Sequence, residues 1–99
     1  GIDIAGQLGQ DVRATAAGKV VYSGNSLIGY GNLIIIKHNE TYLSAYAYCK
    51  ERLVNEGTVV QAGAIIAKMG QHKNKLARLH FEIRKDGKPV DPVKYLPNK

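Results

Sequence analysis

Several features that would settle the class of this 99-residue chain at once are missing from it. A single cysteine, Cys49, leaves no partner for an internal disulfide, so cysteine usage says little about redox compartment. No apolar run approaches the ~20 residues of a membrane-spanning helix, and the chain opens on Gly1-Ile2-Asp3 with no signal-like segment within it. If the protein is exported or anchored, the targeting part is expected outside this piece. Acids are few: 14 Lys and Arg against 8 Asp and Glu give a net charge of +6. That balance favours acidic partners, whether a polyanion, an acidic protein surface or an anionic envelope. The cations are scattered and the tyrosines form no stacking platform, which argues against nucleic-acid binding. The glycines of Asn25 to Gly31 lack the GxGxxG spacing and any helical pattern after them, so they mark a loop and not a phosphate cradle. With no linker and no low-complexity stretch, residues 1–99 read as one domain.

What is present is a series of short β-prone runs punctuated by glycine. Ile2 and Ile4 share a face, with Asp3 on the other. Gly18 is a turn signal before Lys19-Val20-Val21-Tyr22. Asn32 to His38, NLIIIKH, is the most apolar run and predicts a central strand. Asn39-Glu40-Thr41 then gives a turn, and Tyr42 to Tyr48 a second strand with Tyr42, Ser44, Tyr46 and Tyr48 on one face. Lys50 to Gly57 fits either one helical turn or a loop. Thr58-Val59-Val60 and Ala64 to Ala67 continue the strand–turn rhythm. Gln71 to Ala77 is a polar loop in which His72 is a plain exposed histidine, and Asp86-Gly87 is a hairpin signal. Val90-Asp91-Pro92 and Tyr95-Leu96-Pro97 close the domain at prolines. The pattern predicts an all-β fold, a compact sandwich or barrel.

The run Arg78-Leu79-His80-Phe81-Glu82-Ile83-Arg84 organises the rest. Leu79, Phe81 and Ile83 alternate with Arg78, His80, Glu82 and Arg84, the period of two of a strand with one apolar face. His80 therefore shares a face with Arg78 and Glu82, which reads either as a solvated surface or as a place for chemistry. His38 suits a structural hydrogen bond in a groove wall, and Cys49 a small, partly buried position. Lys68 beside Met69 invites comparison with biotinyl and lipoyl carriers. The second flanking methionine is missing, which argues against that reading.

Taken together, GIDIAG, AAGKVVYSGN, GYGNLIIIKHN, YLSAYAY, VNEGTVVQAGAIIAKMG and RLHFEIRKDGKPVDPVKYLP resemble the lysostaphin/LytM-type zinc peptidase domain. Within that family they are most similar to the NlpD-like branch of murein hydrolase activators. The resemblance covers essentially the whole chain. It implies an all-β, compact two-sheet sandwich/barrel hybrid of short antiparallel strands around a groove, and a one-zinc peptidoglycan peptidase ancestry. Active members open with His-x-Gly-x-Asp. The Asp falls on Asp3, and the His would lie two residues before Gly1. In their His-x-His before Phe-Glu, the second His binds zinc and falls on His80. The first, catalytic, position carries Arg78, and a further catalytic histidine position carries Tyr48.

The resemblance thus implies vestigial ligand positions at Asp3 and His80, no metal and no catalytic residues. A catalytic zinc normally takes three protein ligands and a water whose proton neighbouring groups manage. An arginine cannot serve as that base, and its charge opposes a nearby dication. Arg78 is expected to pair with Asp3 instead. The function implied is a pseudo-enzyme that binds and activates a periplasmic N-acetylmuramoyl-L-alanine amidase during septum splitting. Its expected setting is the periplasmic face of the envelope, tied to the outer membrane through an upstream lipidated N-terminus. Groove residues Asp3, Tyr48, Arg78 and His80 and rim residues Lys73 and Lys75 are the candidate partner contacts. A zinc endopeptidase and a passive peptidoglycan-binding module are the alternatives.

Overall fold

A computed structural model describes residues 1–71 and 76–91, all of them strand, turn or loop. Nine strands form in order: β1 (Ile2–Ala5), β2 (Asp11–Arg13), β3 (Gly18–Gly24), β4 (Asn32–Lys37), β5 (Tyr42–Arg52), β6 (Val59–Val60), β7 (Ile65–Met69), β8 (Arg78–Lys85) and β9 (Lys88–Val90). All pairings are antiparallel, and the main path runs β1-β8-β5-β4-β3-β6. The expected all-β, antiparallel architecture is present. Among the described residues the nine strands make one continuous sheet, joined through the long β5, whose first half pairs with β8 and whose second half pairs with β7. No helix among the described residues is long and apolar enough to cross a membrane.

The central strands follow from side-chain period. Ile34 and Ile36 enter the main core with Val20, Tyr46, Ile66 and Phe81, while Leu33 and Ile35 cover the opposite face with Ala45 and Ala47. Both faces of β4 are thus covered, which is why its sequence is continuously apolar instead of alternating. In β8 the expected alternation holds: Leu79, Phe81 and Ile83 are buried in the core. Asp86 and Gly87 take φ values of 52° and 80° between β8 and β9, the left-handed pair that a tight hairpin requires.

Three local expectations are corrected. Lys50 to Arg52 extend β5 and form no helical turn. Gly18 starts β3, and the bend falls earlier, at Thr15 and Ala16. Tyr48 does not share a face with Tyr42, Ser44 and Tyr46. Its φ is 61°, and the β4–β5 register steps from Ile34↔Tyr46 to Asn32↔Cys49, three residues of β5 against two of β4. This β-bulge turns the Tyr48 ring to the face of Ala45 and Ala47, while Cys49 swings into the core. The bulge sits where β5 changes partner from β8 to β7. Gly70 makes it possible: a Cβ there would lie 2.3 Å from the Tyr48 carbonyl oxygen and 2.8 Å from the Lys50 nitrogen.

His38 has the structural role expected of it. Its Nδ1 lies 2.8 Å from the Ala17 carbonyl and its Nε2 2.7 Å from Ser44 Oγ. Ser44 in turn bonds the Tyr46 hydroxyl, which accepts the Thr15 amide. Lys68 is held by Asp11 within β7 and is not presented at a hairpin tip. The closing segment from Pro92 onward lies outside the described residues.

Candidate functional site

The site grows from the pairing of three strands. β1 lies beside β8 with Asp3 opposite His80, and β5 lies on the other side with Ala47 opposite His80. The alternation of β8 puts Arg78, His80, Glu82 and Arg84 on the face that carries Ala45, Ala47 and Tyr48. Small side chains at 45 and 47 leave room over β5 for the longer groups of β8. The imidazole of His80 also approaches two tyrosines: the Tyr48 ring stands edge-on at 6.0 Å between centroids and the Tyr30 ring is tilted at 6.4 Å.

Ionisable side chains form one hydrogen-bonded and ion-paired chain across this floor. Arg78 Nη1 lies 3.6 Å from Asp3 Oδ2, and Asp3 Oδ1 lies 2.8 Å from His80 Nδ1. On the far side of the ring, His80 Nε2 lies 2.9 Å from Glu82 Oε2. Glu82 Oε1 accepts Arg84 Nε at 3.2 Å and Nη2 at 3.0 Å. Burial is the largest influence on the Glu82 carboxyl and works to raise it. Hydrogen bonds from His80 and Arg84, with their charges, outweigh burial and hold it below its ordinary 4.5. Both ring nitrogens of His80 face carboxylate oxygens. Ionised carboxylates only accept, so both contacts are hydrogen bonds when the ring carries both protons.

Asp3, Tyr48, Arg78 and His80 are therefore brought together, whereas Lys73 and Lys75 lie outside the described residues. Three neighbours were not among the candidates: Glu82, Arg84 and Tyr30. The period-two pattern of β8 was signal enough for Glu82 and Arg84. Tyr30 arrives from a loop, and nothing in its local sequence gives its direction. Beside the ionic floor, a cavity of about 440 Å³ is lined by Leu8, Gly31, Tyr48, Gly70 and Gln71 among others.

Two of these residues, Asp3 and His80, are of the type that holds a peptidase zinc. Among those described, no group of three or more His, Cys, Asp and Glu side chains is placed to hold a metal ion. Asp3 and His80 supply two of the three protein donors that a catalytic zinc takes, and the position that the resemblance gives the third falls before Gly1. The two donors are already bonded to each other, and the Arg78 guanidinium lies against Asp3.

Residues 1–92 match the model of peptidase family M23. The chain belongs to that family. It is 59% identical over 99 residues to the lipoprotein NlpD/LppB homolog of Pseudomonas aeruginosa, covering 100% of this chain and 33% of that protein. It is 60% identical to the murein hydrolase activator NlpD of Escherichia coli K12, covering 100% of this chain and 26% of that protein. The chain thus spans about a quarter to a third of these curated relatives. Among solved structures, the catalytic domain of lysostaphin from Staphylococcus simulans superposes with a TM-score of 0.87 at 28% identity, over 96% of this chain and 76% of that one. The fold is that of an M23 peptidase, while the E. coli relative is named as an activator.

Proposed function

We propose that residues 1–99 form the M23 domain of a murein hydrolase activator lipoprotein, one that hydrolyses nothing itself. In this reading it binds a periplasmic N-acetylmuramoyl-L-alanine amidase and activates it for septal peptidoglycan splitting. The observation that carries the reading is the closed ionic chain Arg78–Asp3–His80–Glu82–Arg84. In the alignment that the resemblance implies, Tyr48 and Arg78 take the positions of two catalytic histidines, and neither residue type suits the management of a metal-bound water. The name of the E. coli relative supports the same reading, and the P. aeruginosa relative's being named a lipoprotein supports an envelope location with a lipidated N-terminus upstream.

Activation by such a domain is a population shift. The groove binds one conformation of the amidase better than another and moves the equilibrium by that difference in affinity. Arg78 is the natural anchor for a partner carboxylate, since a guanidinium forms charge-assisted, bidentate bonds with it. Lys73 and Lys75, outside the described residues, are proposed as further basic contacts on the strength of the sequence alone.

The test is dye release from labelled sacculi by the purified amidase, with and without the full-length activator. Arg78→Ala is expected to weaken stimulation about ten- to a hundredfold, the size of one charge-assisted hydrogen bond, with the melting temperature unchanged. Elemental analysis after dialysis against zinc runs alongside. One tightly held zinc per chain together with cleavage of cross-linked muropeptides refutes the proposal. Binding to bare sacculi with no amidase stimulation refutes it in favour of a passive wall-binding module.

A further inference from the structure

The loop from Asn25 to Gly31 does more than border the groove. Ile28 at its tip is 98% exposed and its neighbour Leu27 44% exposed. A branched aliphatic side chain wholly in water gains nothing for the fold. This one is nonetheless held on a built support. The Tyr22 hydroxyl accepts the Ser26 amide at 3.2 Å and lies 2.9 Å from Ser26 Oγ, fixing the start of the loop. At its end the Tyr30 carbonyl accepts the Tyr48 amide at 2.9 Å. Gly29 and Gly31, with φ of 92° and 59°, make the tight return. The same loop delivers the Tyr30 ring to His80. Tip and ionic floor are therefore parts of one support, because Tyr48 at the bulge joins them.

We propose that Leu27 and Ile28 form an apolar prong that enters a cleft on the partner protein while the groove floor engages a partner carboxylate. The inference rests on the activator reading and names how its partner is recognised: an apolar cleft beside an acidic group. Charge supports this occupant. At +6 the chain repels a second copy of itself and attracts an acidic surface. A few anchors seated in desolvated pockets, ringed by contacts that exclude water, carry most of the energy of such interfaces.

The experiment compares full-length wild type, Ile28→Ser, the double variant Leu27→Ser/Ile28→Ser, and Arg78→Ala. Affinity for the purified amidase is measured by calorimetry, and Tm is read in parallel. Ile28→Ser is expected to weaken binding about thirtyfold, the effect of losing one anchor, and the double variant more, all at wild-type Tm. Ile28→Ser binding within twofold of wild type, while Arg78→Ala fails, overturns the prong and leaves the activator reading standing. Failure of wild type itself to bind the amidase overturns both. In a parallel sedimentation with anionic phosphatidylglycerol-containing vesicles, wild type is expected to stay in the supernatant. Vesicle binding that Ile28→Ser abolishes would reassign the prong to lipid and overturn the proposal.

Discussion

Replacing Glu82 with glutamine tests whether the charge chain stabilises the fold or merely decorates it. The Glu82 side chain is 10% exposed, and it faces two donors: His80 through Oε2 and Arg84 through Oε1. Glutamine keeps the shape but offers one acceptor oxygen, so its NH₂ must point at one of the two cationic or N–H groups. Hydrogen bonds to a charged group contribute about 1.5–3 kcal/mol each. The Arg84 side chain is 37% exposed, and water screening reduces its share to about 1 kcal/mol or less. Removing the charge also relieves the cost of dehydrating a carboxylate. The net loss expected is about 1–2 kcal/mol, or a fall of about 1 M in the urea midpoint.

The pH dependence of that loss has a definite sign. The folded carboxyl lies below its unfolded value of 4.5, so its stabilisation is fully present above 4.5. It disappears as the pH falls through the lower folded value. Urea unfolding followed by far-UV circular dichroism should therefore show the full gap between wild type and Glu82→Gln at about pH 7 and its progressive narrowing as the pH falls below 4.5. Equal stabilities at neutral pH would refute the argument, and so would a gap that survives undiminished into acid.

Two other outcomes follow from the packing. Gly70→Ala should cost well over 2 kcal/mol, because its methyl would meet the Tyr48 carbonyl and the Lys50 nitrogen, backbone atoms that cannot step aside; a melting curve within a few degrees of wild type would contradict it. Burial pushes the Cys49 thiol up to about 11, so alkylation by iodoacetamide at neutral pH should be far slower than for an unfolded control. Labelling at the control rate would show that the core around β5 opens readily.

Much of the fold was legible because β8 and β4 obey simple rules. Alternation in β8 put Leu79, Phe81 and Ile83 inward and His80 with Arg78 outward, and Asp86-Gly87 demanded a tight turn. The pairing of Arg78 with Asp3 was legible only through the family resemblance, which set both residues at one groove floor. Tyr48 was not. Counting by twos assumes an unbroken strand, and a left-handed tyrosine has no signature in residue type. Lys50 to Arg52 misled for a related reason: a polar end of a strand looks like a loop until its partner β7 is known. Glu82 was visible on the polar face of β8, but its burial depends on Arg84 and His80 closing over it.

The inserted residue at Tyr48 also divides the labour of β5. Up to Ala47 the strand is read in one frame, its even-numbered side chains serving the core. Beyond the insertion the odd-numbered Cys49 takes that duty. A change at position 48 therefore alters the groove without disturbing which side chains fill the interior, so the groove surface can drift while the scaffold beneath keeps its packing. A peptidase framework with such a decoupling point can lose its chemistry and keep its shape.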